Sequence, residues 1–268
     1  MLASGTNSGP MTPETTAFET SEDAVLGGRL RLRQPLRGHR VGHDAMLLAA
    51  ATAAQSGEQA IDLGAGVGGA GLALAVRVLG LKVGLVEIDP ALAALAADNA
   101  RLNGLDDRVR AVDCDAEDTE ALARAGLVQG SIDRVLMNPP FHDTRRQNAS
   151  PDPRRRRAHA AAPGLLKRWV ASAAFLLKAG GVLTLIWRAD ELDNVLAALS
   201  GAFGAITVLP VLPGPDRPAI RVLACAVKGE QGGFSQLPPL VLNDAAGRPS
   251  AEAEAVLRHA SALPLAGL

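Results

Sequence analysis

The stretch Asn138-Pro139-Pro140-Phe141 combines residue types that could do chemistry, and it follows directly on the apolar run "IDRVLM". An Asn-Pro step alone would end a strand. The second proline fixes another φ angle and removes another backbone donor, so Asn138 and Phe141 are held rigidly around Pro139 and Pro140. The Asn138 side-chain carbonyl can accept one hydrogen bond from an exocyclic amine, the Pro139 backbone carbonyl can accept the second, and Phe141 can stack on a planar ring. Together they describe a clamp for a planar –NH2 group such as that of adenine. The lone pair of an aryl amine is delocalised into its ring, and two acceptors on its hydrogens draw the nitrogen toward a tetrahedral, nucleophilic shape. Rate would then come from alignment and electrostatics rather than from a dedicated base. His142, Asp143 and His159 are candidates to take the surplus proton.

A second constellation lies upstream. In "IDLGAGVGG", Gly64, Gly66 and Gly68 remove side chains where the chain must turn and let a ligand approach the backbone at a helix start. Gly64, Gly66 and Gly69 also satisfy the G-x-G-x-x-G dinucleotide pattern. Glu87 ends "KVGLVE" nineteen residues after Gly68, where a carboxylate can accept both ribose hydroxyls of NAD or of S-adenosylmethionine. Asp115, in "VDCDAED", can hold an adenine amino group, while Asp113 faces solvent. Asp62 can orient a ligand ammonium, which S-adenosylmethionine has and a dinucleotide lacks. The acidic set therefore favours the methyl donor.

These groups must be positioned by alternating strands and helices. "QAIDLG", "KVGLVEID", "RVRAVDCD", "IDRVLMN" and "GVLTLIW" read as buried strands, with two more near 205–211 and 220–227. Helices are expected over "GGAGLALAVRVLG", "PALAALAADNARLNG" with Pro90 at its start and Gly104 past its end, "AEDTEALARAG", 164–178 and 190–200. The pattern predicts an α/β fold: a seven-stranded, mostly parallel sheet with helices on both faces. The last two strands, joined only by "PGPDRP", predict a hairpin and hence one antiparallel strand. Upstream, "RLRLRQPLRGHRV" alternates apolar and basic residues, as a hairpin with one basic face would, and "HDAMLLAAATAA" reads as a helix capped near Asp44. The expected organisation is a disordered tail over 1–24, a hairpin and helix over 25–56, and the main domain over 57–268 with a basic loop at 142–163.

With 268 residues, 48% of them hydrophobic, the chain can bury a sizeable core. The net charge of −1 conceals an asymmetry: residues 27–43 carry +5 and residues 142–168 carry +6, leaving −12 elsewhere. Two basic segments on an acidic body predict a directed anionic partner, with Arg40 and Arg154, Arg155, Arg156 and Arg157 as phosphate contacts. Cys114 and Cys225 are too few and too distant for a disulfide framework, and the five histidines show no metal-ligand spacing. No apolar run reaches the roughly 18 residues of a membrane span, so a cytoplasmic protein without a structural metal is expected.

"DLGAGVG", "VEID", "CDAED" and "NPPF", in this order, resemble the class I S-adenosylmethionine-dependent methyltransferases with an N-P-P-[FY] motif. Within them, the chain resembles the bacterial valine-tRNA adenine-N(6) methyltransferases. "HRVGHDAMLLAA" is similar to that family's entry segment, and "RPAIRVLACAVKG" with "PLVLNDAAG" to its final strand and tail, so the likeness spans about residues 29–258. It implies a Rossmann-like class I fold and S-adenosylmethionine as cofactor. It further implies Asp62, Gly64, Glu87 and Asp115 with Ala116 as donor contacts, Asn138, Pro139 and Phe141 as the amine clamp, and tRNA as substrate. Arg248 and Pro249 stand where many members have an aromatic residue after "D-x-x-G", and the chain has no tyrosine. Stacking therefore falls to Phe141, with Trp169 and Trp187 read as core residues. Two alternatives accompany this reading. A protein glutamine amide N-methyltransferase would present the same –NH2 group, and an NAD-dependent oxidoreductase would use the same glycines but leave 138–141 without a purpose.

Overall fold

The computed structural model describes residues 19–38, 40–140 and 164–267. The main sheet contains β3 (Gln59–Leu63), β4 (Lys82–Glu87), β5 (Val109–Asp113), β6 (Ile132–Met137), β7 (Leu177–Arg188), β8 (Phe203–Leu212) and β9 (Arg221–Lys228). Their spatial order is β8-β9-β7-β6-β3-β4-β5, and β9 runs antiparallel to both its neighbours while the other pairs are parallel. The expected seven strands with one reversed strand are therefore present. Two short strands extend the sheet to nine: β10 (Phe234–Gln236) and β11 (Leu240–Val241) both pair with β8.

The helices divide between the faces. On one side lie α1 (His43–Ala51), α2 (Gly69–Arg77) and α3 (Pro90–Leu102), whose Leu47, Leu74 and Ala96 share a core with Leu85 and Leu136 of the sheet. On the other lie α4 (Thr119–Arg124), α5 (Leu165–Leu176) and α6 (Leu192–Leu199), whose Leu122, Trp169 and Val195 pack on Leu63, Val135 and Leu183. Successive strand residues point to opposite faces, so β3 sends Leu63 to the α5 layer and Asp62 to the α2 layer. The small residues of α2 let it lie close against β3 and β4. A Cβ on Gly71 would fall 2.3 Å from the Leu85 side chain and 3.1 Å from that of Asp62.

Local chemistry sets the helix ends. Asp89 caps α3 by accepting from the Ala91 and Leu92 amides at 2.9 and 3.4 Å, with Pro90 next. Asp118 caps α4 and accepts from Ala121 N–H, so that helix starts later than the pattern implied. Gly42, not Asp44, occupies the N-cap of α1. Asp44 lies in the first turn and accepts from Arg221 Nε of β9 at 2.9 Å, which ties α1 to the sheet.

Two expectations at the N-terminus are corrected. Residues 20–24 belong to no disordered tail: Thr20–Val25 forms β1, paired antiparallel with β2 (Leu30–Pro35) through a 3-10 turn at Leu26–Gly28. The hairpin thus lies earlier than the basic alternation implied. Its basic face is also partly offset, since Glu22 of β1 pairs with Arg31 and Arg33 of β2. The hairpin and α1 also pack into the main core. Leu26, Leu30 and Leu32 share the core of Leu47, Leu74 and Val256. Val256 belongs to a further helix, α7 (Ala251–His259), which packs on the 3-10 turn and on α1. Arg29 donates to the carbonyl of His259 at 2.9 Å, and a Cβ on Gly27 would fall 2.6 Å from that of Arg258.

Candidate functional site

In this sheet the chain reverses direction of travel between β3 and β6, and open α/β sheets bind ligands at such a point beyond the strand carboxyl ends. The register places the two motifs side by side, because Leu63 pairs with Met137, so Gly64 and Asn138 leave adjacent strands at one level. Leu63 also pairs with Val86, and Glu87 with Asp113. Gly64, Asn138, Glu87 and Asp115 therefore share one rim. With neighbouring strands about 4.8 Å apart, the rim from β6 to β5 spans about 14 Å.

The glycine loop is fixed from several directions. Ala65 N–H donates to Val86 C=O at 2.9 Å, Gly66 N–H to Glu87 Oε2 at 2.8 Å, Gly68 N–H to Ala65 C=O at 2.8 Å and Gly71 N–H to Asp62 Oδ2 at 2.7 Å. Gly64 and Gly66 have φ of +69° and +57°, a region that disfavours side chains. Their surroundings differ. A Cβ on Gly64 would meet the Trp169 ring at 2.2 Å, whereas one on Gly66 meets nothing within 4 Å. Gly66 is thus bare toward open space, as a backbone that a ligand approaches must be.

Glu87 is nearly buried and its Oε1 accepts from Asp89 N–H at 2.9 Å. Burial pushes its carboxyl up, and the two backbone donors partly offset that. Burial also raises Asp62, to about 7, against the opposing bond from Gly71 N–H and reinforced by the charge of Glu87. The folded value lies above the unfolded one, so the stability this group contributes is present at acid pH and is lost as pH climbs to about 7. The stability gap between Asp62→Asn and the parent chain should therefore widen in favour of the variant from pH 5 to pH 8, by a few kcal/mol at most. Urea midpoints across that range measure it; a constant gap would refute the assignment.

At the end of β5, Asp115 is half-buried and Oδ1 accepts from Glu117 N–H at 2.8 Å, while Ala116 is buried and Asp113 exposed. Trp169 and Trp187 are both buried, as expected of core residues. Trp169 also floors the glycine loop and donates from Nε1 to Glu117 Oε1 at 3.4 Å. Nothing in the sequence pattern marked that tryptophan as part of the rim.

Asn138 is half-buried, yet its Oδ1 is enclosed and has no hydrogen-bond partner among the described residues. A buried acceptor left unpaired costs about 1–3 kcal/mol; Arg77 Nε, Ser172 Oγ and Thr184 Oγ1 are in the same position, but Asn138 is the one of the four that stands at the strand-end rim. Pro139 is buried beside it. Phe141, His142, Asp143, Arg154 to Arg157 and His159 lie outside the described residues. Arg40 is described: its guanidinium pairs with Asp23 and donates to Ser21 Oγ at 3.0 Å and Pro35 C=O at 3.3 Å, so it fastens the hairpin.

Cys114 and Cys225 are free and buried. Among the described residues no cluster of three or more His, Cys, Asp or Glu could hold a metal, and no helix is long and apolar enough to cross a membrane.

The strand order, the single reversed strand and the glycine loop beside an Asn-Pro-Pro rim define a class I S-adenosylmethionine-dependent methyltransferase. The crystal structure of an Agrobacterium tumefaciens protein, named a predicted O-methyltransferase, superposes with a TM-score of 0.70 at 27% identity, covering 82% of this chain and 98% of that one. Residues 39–211 match the family model of the methyltransferase small domain, and the chain belongs to that family. Among curated relatives, a tRNA1(Val) (adenine(37)-N6)-methyltransferase of Shewanella amazonensis is 36% identical over 107 residues, 40% of this chain and 43% of that protein. Its namesake from Trichodesmium erythraeum is 30% identical over 198 residues, 72% of this chain and 79% of the relative. Methyltransferase membership sets aside the oxidoreductase alternative, and the donor is S-adenosylmethionine.

Proposed function

We propose that this chain transfers a methyl group to the exocyclic amine of adenine in RNA, with a valine-type tRNA as substrate. The observation that carries the reading is the enclosed, unpartnered Asn138 Oδ1 beside the glycine loop. Names of the Shewanella and Trichodesmium relatives support the same substrate.

In this mechanism Asn138 Oδ1 accepts one amine N–H and the Pro139 carbonyl the other, turning the nitrogen lone pair out of the ring. Pro140 limits the backbone so that the two acceptors stay aligned, and Phe141 stacks on the base. S-adenosylmethionine supplies an electrophilic methyl carbon on a sulfonium. Glu87 would hold the ribose hydroxyls, Asp115 with Ala116 the adenine end, and the backbone at Gly64, Gly66 and Gly68 would line the donor. Asp62, buried behind the loop and bonded to Gly71 N–H, would act on the donor's ammonium through its charge, and a cation near a carboxyl poised near 7 binds more tightly as pH rises to about that value. Arg154, Arg155, Arg156 and Arg157 grip phosphates while the target nucleotide leaves its stack. As the N–C bond forms the S–C bond breaks, S-adenosylhomocysteine is the neutral leaving group, and the cationic methylated nitrogen then gives its surplus proton to solvent.

The test is incubation with isotopically labelled donor and, separately, total tRNA, ribosomal RNA and release factors, followed by nucleoside mass spectrometry. N6-methyladenosine in tRNA is expected. Label confined to ribosomal RNA would move the substrate within RNA, and label on a glutamine amide would replace the reading by the protein-directed alternative.

A further inference from the structure

Asn99 has no solvent exposure, although it sits on an alanine-rich helix with many apolar alternatives. Its side chain makes three hydrogen bonds, all away from its own helix. Oδ1 accepts from Arg33 N–H at 2.7 Å, and Nδ2 donates to Arg33 C=O at 3.0 Å and to Val67 C=O at 3.0 Å. One turn further, Asn103 repeats half of the pattern: Oδ1 accepts from Arg31 N–H at 2.9 Å and Nδ2 donates to Arg31 C=O at 2.7 Å and to Asn99 C=O at 2.7 Å. Four residues of helix rise about 6 Å and two residues of strand about 6.7 Å. The two carboxamides thus serve the outer edge of β2 as a neighbouring strand would.

Only the first of the pair reaches the glycine loop. The peptide joining Val67 to Gly68 is then gripped at both ends, its carbonyl by Asn99 and its N–H by the Ala65 carbonyl. The hairpin meets the loop at a second place as well. Gln34, itself buried, accepts from Val41 N–H at 2.7 Å, and the Val41 side chain closes on Gly69, where a Cβ would fall 2.7 Å away.

We infer that Asn99 is a positioning residue that couples seating of the β1–β2 hairpin to the donor-binding shape of the glycine loop. The inference rests on the reading of that loop as the donor site. A carboxamide bonded to both partners can satisfy Val67 and Arg33 together only when the hairpin is seated, so donor affinity depends on a segment outside the glycine loop. By linkage, donor binding must in turn hold the hairpin down.

Calorimetric titration with S-adenosylhomocysteine, a donor-shaped ligand that cannot react, tests this. Asn99→Leu should weaken binding about tenfold, while Asn103→Leu, which loosens the same hairpin but makes no bond to the loop, should weaken it by a smaller factor, about two- to threefold. In turnover, Asn99→Leu should raise the donor KM and leave kcat near that of the parent. Hydrogen exchange reads the coupling from the other side: the ligand should slow exchange of the Leu30 and Leu32 amides in the parent chain and fail to do so in Asn99→Leu. If Asn99→Leu does not fold, Asn99→Ser is read the same way, well below its Tm. Equal losses in the two asparagine variants, or unchanged affinity in Asn99→Leu, would overturn the coupling. Gly66→Leu separates this from failure of the underlying reading. Unchanged binding in Gly66→Leu removes the loop from the donor site altogether, whereas its loss beside intact Asn99→Leu binding removes only the coupling.

Discussion

Asn138→Ala is expected to lower methyl transfer by about two to four orders of magnitude and to leave donor affinity within about twofold. The same substitution should leave the chain as stable as the parent or more so, which is unusual for a partly buried residue. Oδ1 is enclosed without a partner among the described residues, so removing it deletes a desolvation cost of about 1–3 kcal/mol rather than a hydrogen bond. Single-turnover rates at saturating donor, paired with urea midpoints, read both quantities from one preparation. A variant that lost activity and stability together would show that Asn138 holds the rim in place and does no chemistry. An active variant would remove the amine clamp. Asn138→Asp keeps an acceptor at the same point, and its rate should fall between parent and alanine.

Gly64→Ala should be the most damaging small substitution in the chain. The residue has φ +69°, and the added carbon would lie 2.2 Å from the Trp169 ring. The left-handed backbone costs about 1–2 kcal/mol for a residue with a side chain, and overpacking adds about 1–3 kcal/mol. Because the strain falls on the first turn of the donor loop, S-adenosylhomocysteine binding should be lost even where the variant folds. Gly66→Ala provides the comparison, since it has a similar φ and no neighbour within 4 Å, so only the backbone cost remains. Trp169→Leu placed behind Gly64→Ala should recover part of the lost stability in thermal unfolding. Without such recovery, the tryptophan contact is not the cause.

Much of the main sheet was legible because its signals are local. Pro90 and Gly104 bracket α3, and each strand of β3, β4, β5 and β6 is a short apolar run ending in a glycine, an acid or an asparagine. A parallel sheet brings every strand's carboxyl end to one rim, so residues far apart in the chain could be grouped into one site from strand order alone. The hairpin was misread for the opposite reason. β1 reads as a polar tail, "TSEDAV", and becomes a strand through pairing with β2. A charge count along residues 27–43 sees five arginines and misses Glu22 and Asp23, which the turn folds back onto Arg31, Arg33 and Arg40. Asn99 and Asn103 were visible as two asparagines one turn apart, but their partners lie 66 and 72 residues away. Nothing short-range could have named those partners.

The seating of α7 on the Leu26–Gly28 turn has a consequence for how this protein is made. Residues 20–35 leave the ribosome well before the helix that covers their turn, with the whole main sheet synthesised in between. The central strands can assemble while translation continues, but the first hairpin stays uncovered on one side until residues 251–259 have emerged. A messenger truncated before that point would yield a nascent chain with its central strands in place and its opening segment exposed to proteases.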